Sequence, residues 1–360
     1  MKKNSIIKKM VLILMVAAML LSLAACGGGS APQAAADAPA AAAGPSITRA
    51  MRLSLAVAED HMITQSLHRA VDVIKEKTGL EIQIFSAGAL GAEADAFDMV
   101  RSGDIDFWCG GVQTVTTKPI ASEISGTLFP FTFNTRENAE SFHEEYLMPE
   151  VLNSDAYKAE LNVHFISIYN QGARQLTTTD TPVYSPADLA DKKIRSMEQD
   201  VAIATVKGLG GNPMPVSFNE LYLALQTGVV DGQENPYNNI EAMKFYEVQD
   251  YIMKTSHQYT FSPLVMNNDV WNKLTAEEQE IITAEFVKVQ KECNLEAVEL
   301  LNAEEQLFKD NGITVIEESE LDMDAFRANA DKVIAESFAD AKYDAWRAMH
   351  DKALEWCATH

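Results

Sequence analysis

Apolar residues in the first part of the chain switch between the spacings typical of strands and of helices. Residues 51–57 alternate, as in a strand, and residues 63–74 then carry apolar side chains at helical spacing up to Gly79. Three further elements are expected: a strand at 81–85, a helix at 92–101 and a strand at 104–108. Strands that alternate with helices predict a largely parallel sheet with helices on its faces.

A second unit of the same kind follows. Residues 163–169 form a predicted strand, after which a new α/β unit begins near residue 172. Ser185, followed by a proline and three residues later by an acid, is typical of a helix start. Ser217 and Glu220 have the spacing of a capping box. Residues 249–254 are a predicted strand that we expect to return the chain to the first lobe.

One long helix is predicted in the last third of the chain. Thr275 and Glu278 form a second capping box, and the helical spacing that follows reaches about Lys309. At 1.5 Å per residue such a helix is about 50 Å long, enough to brace two lobes. A strand at 313–316 and two helical stretches close the chain. We therefore expect an α/β fold with lobe I at 47–171, lobe II at 172–256, and a shared segment at 257–360.

The amino terminus has the pattern of an export signal. Residues 1–25 contain four lysines followed by an apolar run that is shorter than the roughly 20 residues of a membrane span. The run ends in Leu23-Ala24-Ala25-Cys26, which is similar to a bacterial lipobox, in which the cysteine is lipidated. An ordinary secreted protein with a cysteine at the cut site is the alternative. Residues 26–46 are rich in Gly, Ala and Pro and are typical of a disordered tether. No later segment is apolar enough to span a bilayer.

Charge and cysteine content narrow the functional classes. The chain has a net charge of −23, and removal of residues 1–25 with their four lysines and no acids makes it −27. Such acidity argues against nucleic acid as a partner. Cys109, Cys293 and Cys357 remain in the mature chain, and either one disulfide or three free thiols are compatible with their spacing.

The candidate site lies in the second unit. Arg195 ends a short apolar strand and precedes loops rich in Gly, Pro and Asn, a pattern suited to binding a carboxylate. The segments concerned are Lys192-Lys193-Ile194-Arg195, Gly211-Asn212-Pro213-Met214-Pro215-Val216-Ser217-Phe218 and Gly232-Gln233-Glu234-Asn235-Pro236. Together with Gly172-Ala173-Arg174-Gln175-Leu176-Thr177-Thr178, they resemble the signature of the DctP family, the solute-binding subunits of TRAP (tripartite ATP-independent periplasmic) transporters.

The resemblance implies a fold and a set of ligand contacts. The fold is the hinged two-lobe fold of periplasmic binding proteins, with the ligand between the lobes. In the family the arginine at Arg195 pairs with the ligand carboxylate, because a guanidinium matches its two oxygens. A salt bridge between Arg195 and Asp191 is the alternative. Arg174 is implied as a second cleft arginine, or as a residue that holds the interlobe strand through carbonyl groups.

Further candidate residues follow from the same resemblance. Asn235 is implied as an amide contact with the ligand, and Phe218 as an apolar wall or simply a core residue. Glu198 departs from the family pattern; it can accept hydroxyl groups of a polyhydroxy acid or pair with Arg174. Gly110 and Gly111 stand where sialic-acid-binding members carry an acid, which disfavours sialate.

Several residues at predicted strand ends of lobe I form a weaker group. They are His61, Glu93, Trp108 and Gln113. Each taken alone is more typical of a structural role. As a group they would form the rim of the first lobe, because ligands of such sheets bind beyond the carboxyl ends of strands.

The chain lacks the common sequence motifs of enzymes. The chain has no Gly-x-Ser-x-Gly, no Gly-Lys-Ser/Thr phosphate loop, no His-Glu-x-x-His and no Cys-x-x-Cys. The resemblance, together with the lipobox-like segment, implies a lipid-anchored binding protein, which we expect to be monomeric and without cofactor or metal. It would capture a small organic acid outside the cytoplasm and deliver it to a two-part membrane permease. A secreted α/β enzyme acting on a small carboxylate is the alternative.

Overall fold

The computed structural model describes residues 44–360. The predicted signal at 1–25, Cys26 and all but the last three residues of the predicted tether lie outside this range. The strands, in chain order, are β1 (Met51–Leu55), β2 (Ile82–Phe85), β3 (Phe107–Cys109), β4 (Val163–Ala173), β5 (Gln175–Thr178), β6 (Lys193–Ser196), β7 (Asn212–Pro215), β8 (Gly232–Asn235), β9 (Tyr251–Met253), β10 (Tyr259–Asn267) and β11 (Thr314–Ile316).

Helices cover both sheets. The α-helices are α1 (Met62–Thr78), α2 (Glu93–Ser102), α3 (Val112–Val115), α4 (Arg136–Ser141), α5 (Asp155–Leu161), α6 (Asp200–Leu209), α7 (Leu221–Gln226), α8 (Tyr237–Ala242), α9 (Asn268–Trp271), α10 (Ala276–Asp310), α11 (Met323–Ser337) and α12 (Asp344–Thr359). A π-helical segment spans Phe142–Leu152, and 3₁₀ segments span Pro119–Leu128, Pro186–Leu189, Phe218–Glu220, Phe245–Glu247, Glu318–Glu320 and Ala341–Tyr343.

The first lobe is built on a five-stranded sheet of order β2-β1-β3-β10-β4. β1 pairs in parallel with β2 and β3, whereas β10 runs antiparallel to both β3 and β4. α1 covers one face with Leu67, Ala70 and Ile74, all fully buried. It ends at Gly79, whose φ of 76° is a left-handed conformation that glycine adopts without strain.

The second lobe is built on a six-stranded sheet of order β11-β9-β5-β8-β6-β7. β6 pairs in parallel with β7 and β8, and β9 with β11, while β5 runs antiparallel to its two neighbours. Helices flank both sheets, in agreement with the predicted α/β class. They are more mixed than a largely parallel sheet, because β4, β5 and β10 carry the chain between the lobes.

Two segments of the chain cross from one sheet to the other. β4 and β5 belong to different sheets and are separated by Arg174 alone. Residues 254–258 make the return crossing between β9 and β10. The predicted strand at 249–254 is present as β9, and the chain returns to the first lobe only after it: β9 pairs with β5 and β11 inside the second sheet, where the buried Ile252 and Met253 pack on opposite sides.

The long helix is confirmed. α10 contains 35 residues, and Thr275 and Glu278 form the capping box expected at its start. Phe286 and Val289 pack in the core of the first lobe, and Phe308, six turns further on, packs in the core of the second lobe. Because one rigid element is buried in both cores, it connects the lobes.

The last two helices are divided between the lobes. α11 packs on α6 of the second lobe, and α12 packs on the 3₁₀ segment Pro119–Leu128 of the first. The predicted capping box at Ser217 has a different form. The Ser217 hydroxyl donates to the Glu220 carboxylate at 2.6 Å, so it caps no backbone N–H group, and a 3₁₀ turn precedes α7. Between residues 44 and 360, no helix is long and apolar enough to cross a membrane.

Candidate functional site: a polar cleft between the lobes

A cavity of about 520 Å³ lies where the two lobes face each other. One wall comes from the ends of β1 and β3 and the start of α2, and the other comes from β6 and residues 216–220. Seven of the candidate residues line it: Arg174, Arg195, Asn235, Phe218, Glu198, Glu93 and Gln113. The carboxyl ends of strands form this site, as expected for open α/β sheets.

Arg195 is buried, with 2% of its surface exposed, at the end of β6. Its Nε donates to the carbonyl oxygen of Val216 at 2.9 Å. Neither Nη group has a hydrogen-bond partner among residues 44–360, and no described acid forms a salt bridge with it, Asp191 included. Burial lowers the pKa of Arg195 to about 10, so the side chain is still cationic at neutral pH. Two desolvated donors thus face the cavity.

Arg174 is also buried but is bound by the protein itself. Its guanidinium donates to both carboxylate oxygens and the carbonyl of Glu234, to Thr260 Oγ1 at 2.9 Å and to Asn235 Oδ1 at 3.1 Å. His257 Nε2 lies 3.0 Å from the same carboxylate. Burial alone would raise the pKa of Glu234, but the charge of Arg174 and the bond to His257 outweigh it and lower this pKa to about 2. The positive charge of Arg174, which lies where the chain crosses from the first lobe to the second, is therefore compensated by Glu234.

Asn235 and Phe218 complete the second-lobe wall. The Asn235 carbonyl oxygen accepts from Arg174, which has only donors, and its Nδ2 donates to Gln233 Oε1. The orientation of this amide is therefore fixed. Phe218 is half-buried and packs edge-on against Phe245, with ring centroids 6.0 Å apart. It offers an apolar surface to the cavity while its other edge belongs to the core.

Glu93 begins α2 on the opposite wall. Its Oε1 accepts from the Gly111 N–H at 2.6 Å and from Thr114 Oγ1 at 3.0 Å. Burial raises the pKa of Glu93, and its hydrogen bonds and the charge of Arg195 oppose that rise. A Cβ atom at Gly110 would lie 2.8 Å from Oε1, and one at Gly111 would lie 3.3 Å away. The two glycines thus leave the space that Glu93 occupies.

Glu198 is exposed on the cavity wall and forms no ion pair among the described residues. The alternative in which it pairs with Arg174 is wrong, because Glu234 takes that position. Its carboxylate remains available to groups in the cavity.

His61 and Trp108 do not line the cavity, in contrast to their predicted rim position. Trp108 is fully buried and packs on Phe97, with ring centroids 4.7 Å apart. Since side chains alternate along a strand, its neighbour Cys109 faces the cavity instead. His61 caps α1: its Nδ1 accepts from the Ile63 N–H at 3.2 Å. Burial lowers the pKa of His61 to about 4, so it is neutral.

Sequence reasoning missed several polar residues of the cavity. Gln171, Asn239, Thr260 and Ser262 all line it, and Gln113, named only in the weaker group, does so as well. Gln171 Nε2 donates to Ser262 Oγ at 2.6 Å. The alternation of Thr260 and Ser262 with Phe261 along β10 was the available signal, since one face of that strand is polar.

Other candidate features lie elsewhere. Cys109, Cys293 and Cys357 are all free thiols, so of the two alternatives the disulfide is not formed. A second hollow of about 530 Å³ is lined by residues 318, 319 and 321–324, with three acids and no basic side chain. The described part of the chain contains no group of three or more His, Cys, Asp or Glu side chains placed to hold a metal ion.

A two-lobe α/β fold with a buried, unpaired arginine in the cleft between the lobes is typical of extracytoplasmic solute-binding proteins. Residues 53–341 match the family described as bacterial extracellular solute-binding protein, family 7, or DctP. The chain belongs to this family, the solute-binding proteins of TRAP transporters.

Relatives within the family bind different solutes. The chain is 30% identical over 288 residues to the C4-dicarboxylate-binding protein DctB of Bacillus subtilis, covering 78% of this chain and 80% of that protein. It is 27% identical over 285 residues to the ectoine-binding periplasmic protein TeaA of Halomonas elongata, covering 72% and 76%. A TRAP solute-binding protein of Chromohalobacter salexigens, crystallised with D-glucuronate, superposes with a TM-score of 0.78 at 25% identity and covers 85% of this chain and 99% of that one.

Proposed function

We propose that the protein captures a small organic acid between its lobes and delivers it to the membrane permease of a TRAP transporter. The observation that carries this proposal is the buried Arg195, whose two Nη groups face the cavity without a protein partner among the described residues. A desolvated guanidinium requires an anion, and a carboxylate matches its parallel donors.

Arg174, Asn235 and Phe218 support this reading as further contacts. Arg174 and Asn235 keep each other in place, so they present a fixed polar surface next to Arg195. Phe218 would cover the apolar face of the ligand. The relatives named above carry glucuronate, C4-dicarboxylates or ectoine, each of which contains a carboxylate.

A thermal-shift screen tests the ligand class. Because a ligand that binds only the folded state stabilises it by mass action, a true ligand raises the melting temperature in a concentration-dependent way. We expect hits among sugar acids, hydroxy acids, oxo acids or dicarboxylates. Hits confined to neutral sugars, peptides or metal ions would contradict the proposal. Conversion of a hit into a product would favour the alternative function, an enzyme that acts on a small carboxylate.

Export and anchoring form the second part of the proposal. The lipobox-like Leu23-Ala24-Ala25-Cys26 supports lipidation of Cys26, with residues 27–46 as a tether that keeps the lobes near the permease. Two acyl chains give stable attachment where one gives only marginal binding. Cys26→Ser should move the protein from the membrane to the soluble fraction of the native host. Unmutated protein that is already soluble, with an unmodified terminus, would refute the anchor.

Delivery can be tested with membrane vesicles from the native host. Adding the ligand-loaded protein should raise uptake of the labelled ligand, and Arg195→Ala should remove this increase. Uptake that is equal with and without the protein would contradict the transport role.

A further inference from the structure

The charges on the cavity walls leave one cation uncompensated. Arg174 is neutralised by Glu234, with which it shares three hydrogen bonds. Arg195 has no such partner among residues 44–360. The other ionisable side chains that line the cavity are acids: Glu93, Glu198 and Glu220. One anionic group therefore suits this cavity, and a second one would meet only negative charge.

Glu93 is a half-buried acid on the wall opposite Arg195. Its Oε1 is held by Gly111 and Thr114, whereas its Oε2 has no hydrogen-bond partner in the described chain. The positive charge of Arg195 lowers the pKa of Glu93 and so opposes the effect of burial, although the two side chains form no salt bridge. An ionised carboxylate oxygen can only accept hydrogen bonds, so Oε2 suits a donor group on the ligand.

The residues around Glu93 fix the position of its side chain. Any side chain at Gly110 would displace Glu93 or the Trp108 ring, which would lie 2.3 Å from the added Cβ. Thr114 and Gln113, both buried, lie beside it on α3. The neighbouring residues therefore hold the Glu93 carboxyl group in the cavity wall through Oε1 and leave Oε2 without a protein partner among the described residues.

We propose that the cavity selects a monocarboxylate whose far end donates hydrogen bonds, and that Glu93 is the residue that excludes dicarboxylates. This inference rests on the proposed function, because it assumes that Arg195 holds the ligand's carboxylate. A hydroxyl group or a nitrogen cation at the far end satisfies Glu93 Oε2. A second carboxylate offers no proton and meets a like charge away from bulk water, where repulsion is least screened.

Calorimetry with the unmodified protein gives the first test. D-glucuronate and ectoine represent hydroxyl and cationic donors, and succinate represents dicarboxylates. We expect at least one of the first two to bind tenfold or more tightly than succinate. Monomethyl succinate, which has lost one charge, should bind more tightly than succinate. The titrations are run at pH 8, because burial raises the pKa of Glu93 and the acid must be ionised.

Glu93→Gln tests the residue, and Asp95→Asn is its matched control. Asp95 lies two residues further along α2, is exposed and does not line the cavity. Glu93→Gln should reduce the preference for the donor ligand over succinate by tenfold or more. The variant should bind the donor ligand more weakly and succinate more tightly than the unmodified protein does. Asp95→Asn, which removes the same charge, should leave the ratio within threefold.

The outcomes separate this inference from the proposed function. If succinate binds the unmodified protein as tightly as both donor ligands, or more tightly than its monomethyl ester, the inference is wrong while acid capture stands. An unchanged ratio in folded Glu93→Gln also overturns it. If no carboxylate binds and a neutral solute does, the proposed function itself fails.

Discussion

The two cleft arginines have the same burial but opposite electrostatic situations. Arg174 donates to Glu234, Thr260 and Asn235, so the protein itself compensates its charge. Arg195 has one backbone bond and no described acid as a partner. A buried charge without a partner is unfavourable for the free protein and favourable for binding an anion.

This contrast predicts that the two substitutions change the stability of the ligand-free protein by very different amounts. Arg174→Ala leaves Glu234 buried and unpaired, and removing one partner of a buried pair commonly costs about 3–5 kcal/mol. Arg195→Ala removes a desolvated charge and should change the free energy of unfolding by less than about 1 kcal/mol. Urea unfolding of both variants measures the difference. Equal losses would show that Arg195 is a structural cation as well.

At the scale of single residues, the sequence indicated which residues line the cavity better than it indicated which way each side chain points. Arg195 could be found because a guanidinium at a strand end, within a long family motif, has a specific chemical use. Trp108 could not be placed, because which face of β3 it occupies depends on the register with β1 and β10. The pairing of Arg174 with Glu234 joins residues 60 positions apart, and no local pattern indicates it.

At the scale of elements, α10 contains an acid in an unfavourable place. Glu304 is buried against α8, where Glu241 lies nearby, and burial, aided by the charge of Glu241, raises the pKa of Glu304 to about 8. A raised carboxyl pKa means that the folded state holds a proton that the unfolded state has lost. Stability therefore falls as pH rises from about 4.5, the ordinary value, through about 8.

Glu304→Gln should remove this pH dependence. The amide carries no charge at any pH, so the variant should be more stable than the parent by roughly 1–3 kcal/mol at pH 8 and close to it at pH 4.5. Urea unfolding of both proteins at the two pH values measures the change. A parent protein whose stability relative to the variant does not fall between pH 4.5 and pH 8 would contradict the shift.

Element prediction succeeded where a local signal was strong. The capping box at Thr275 and the helical spacing after it gave α10 almost to the residue. β9 was predicted as a strand, but its partners β5 and β11 were not, because a three-residue strand with both Ile252 and Met253 buried carries no information about its neighbours in the sheet. Partners of short apolar strands are decided by tertiary packing, not by their own sequence.

At the scale of the whole molecule, three segments within residues 44–360 connect the lobes: the crossing at Arg174, residues 254–258 and α10. Arg195 belongs to the second lobe and Glu93 to the first, so one ligand that contacts both draws the walls together. Closing the cleft would also exclude water and strengthen charge-assisted hydrogen bonds. We therefore expect ligand binding to reduce the distance between the lobes.

Small-angle scattering can measure this closure. The radius of gyration should fall when the screened ligand saturates the protein, and Arg195→Ala at the same ligand concentration should show no such fall. A ligand that binds by calorimetry without any change in scattering would contradict closure of the lobes.

The two-lobe organisation followed from the order of the predicted elements, because an α/β unit, a second unit and a returning segment imply two sheets. The cavity itself could not be derived in the same way. Thr260 and Ser262 enter it from β10, a strand that follows the second lobe in sequence but lies in the first. Only the crossing of the chain brings these residues to Arg174.

The central claim is that Arg195 binds the carboxylate of the ligand, and calorimetry on three proteins tests it most directly. Truncating one member of a desolvated charge pair commonly costs about 2–5 kcal/mol, roughly 30- to several-thousand-fold in affinity. With the ligand from the thermal-shift screen, Arg195→Ala should lie near the upper end. Arg195→Lys, which keeps the charge but loses the paired donors, should lie near the lower end. Binding by Arg195→Ala within about threefold of the parent would show that the carboxylate is held elsewhere.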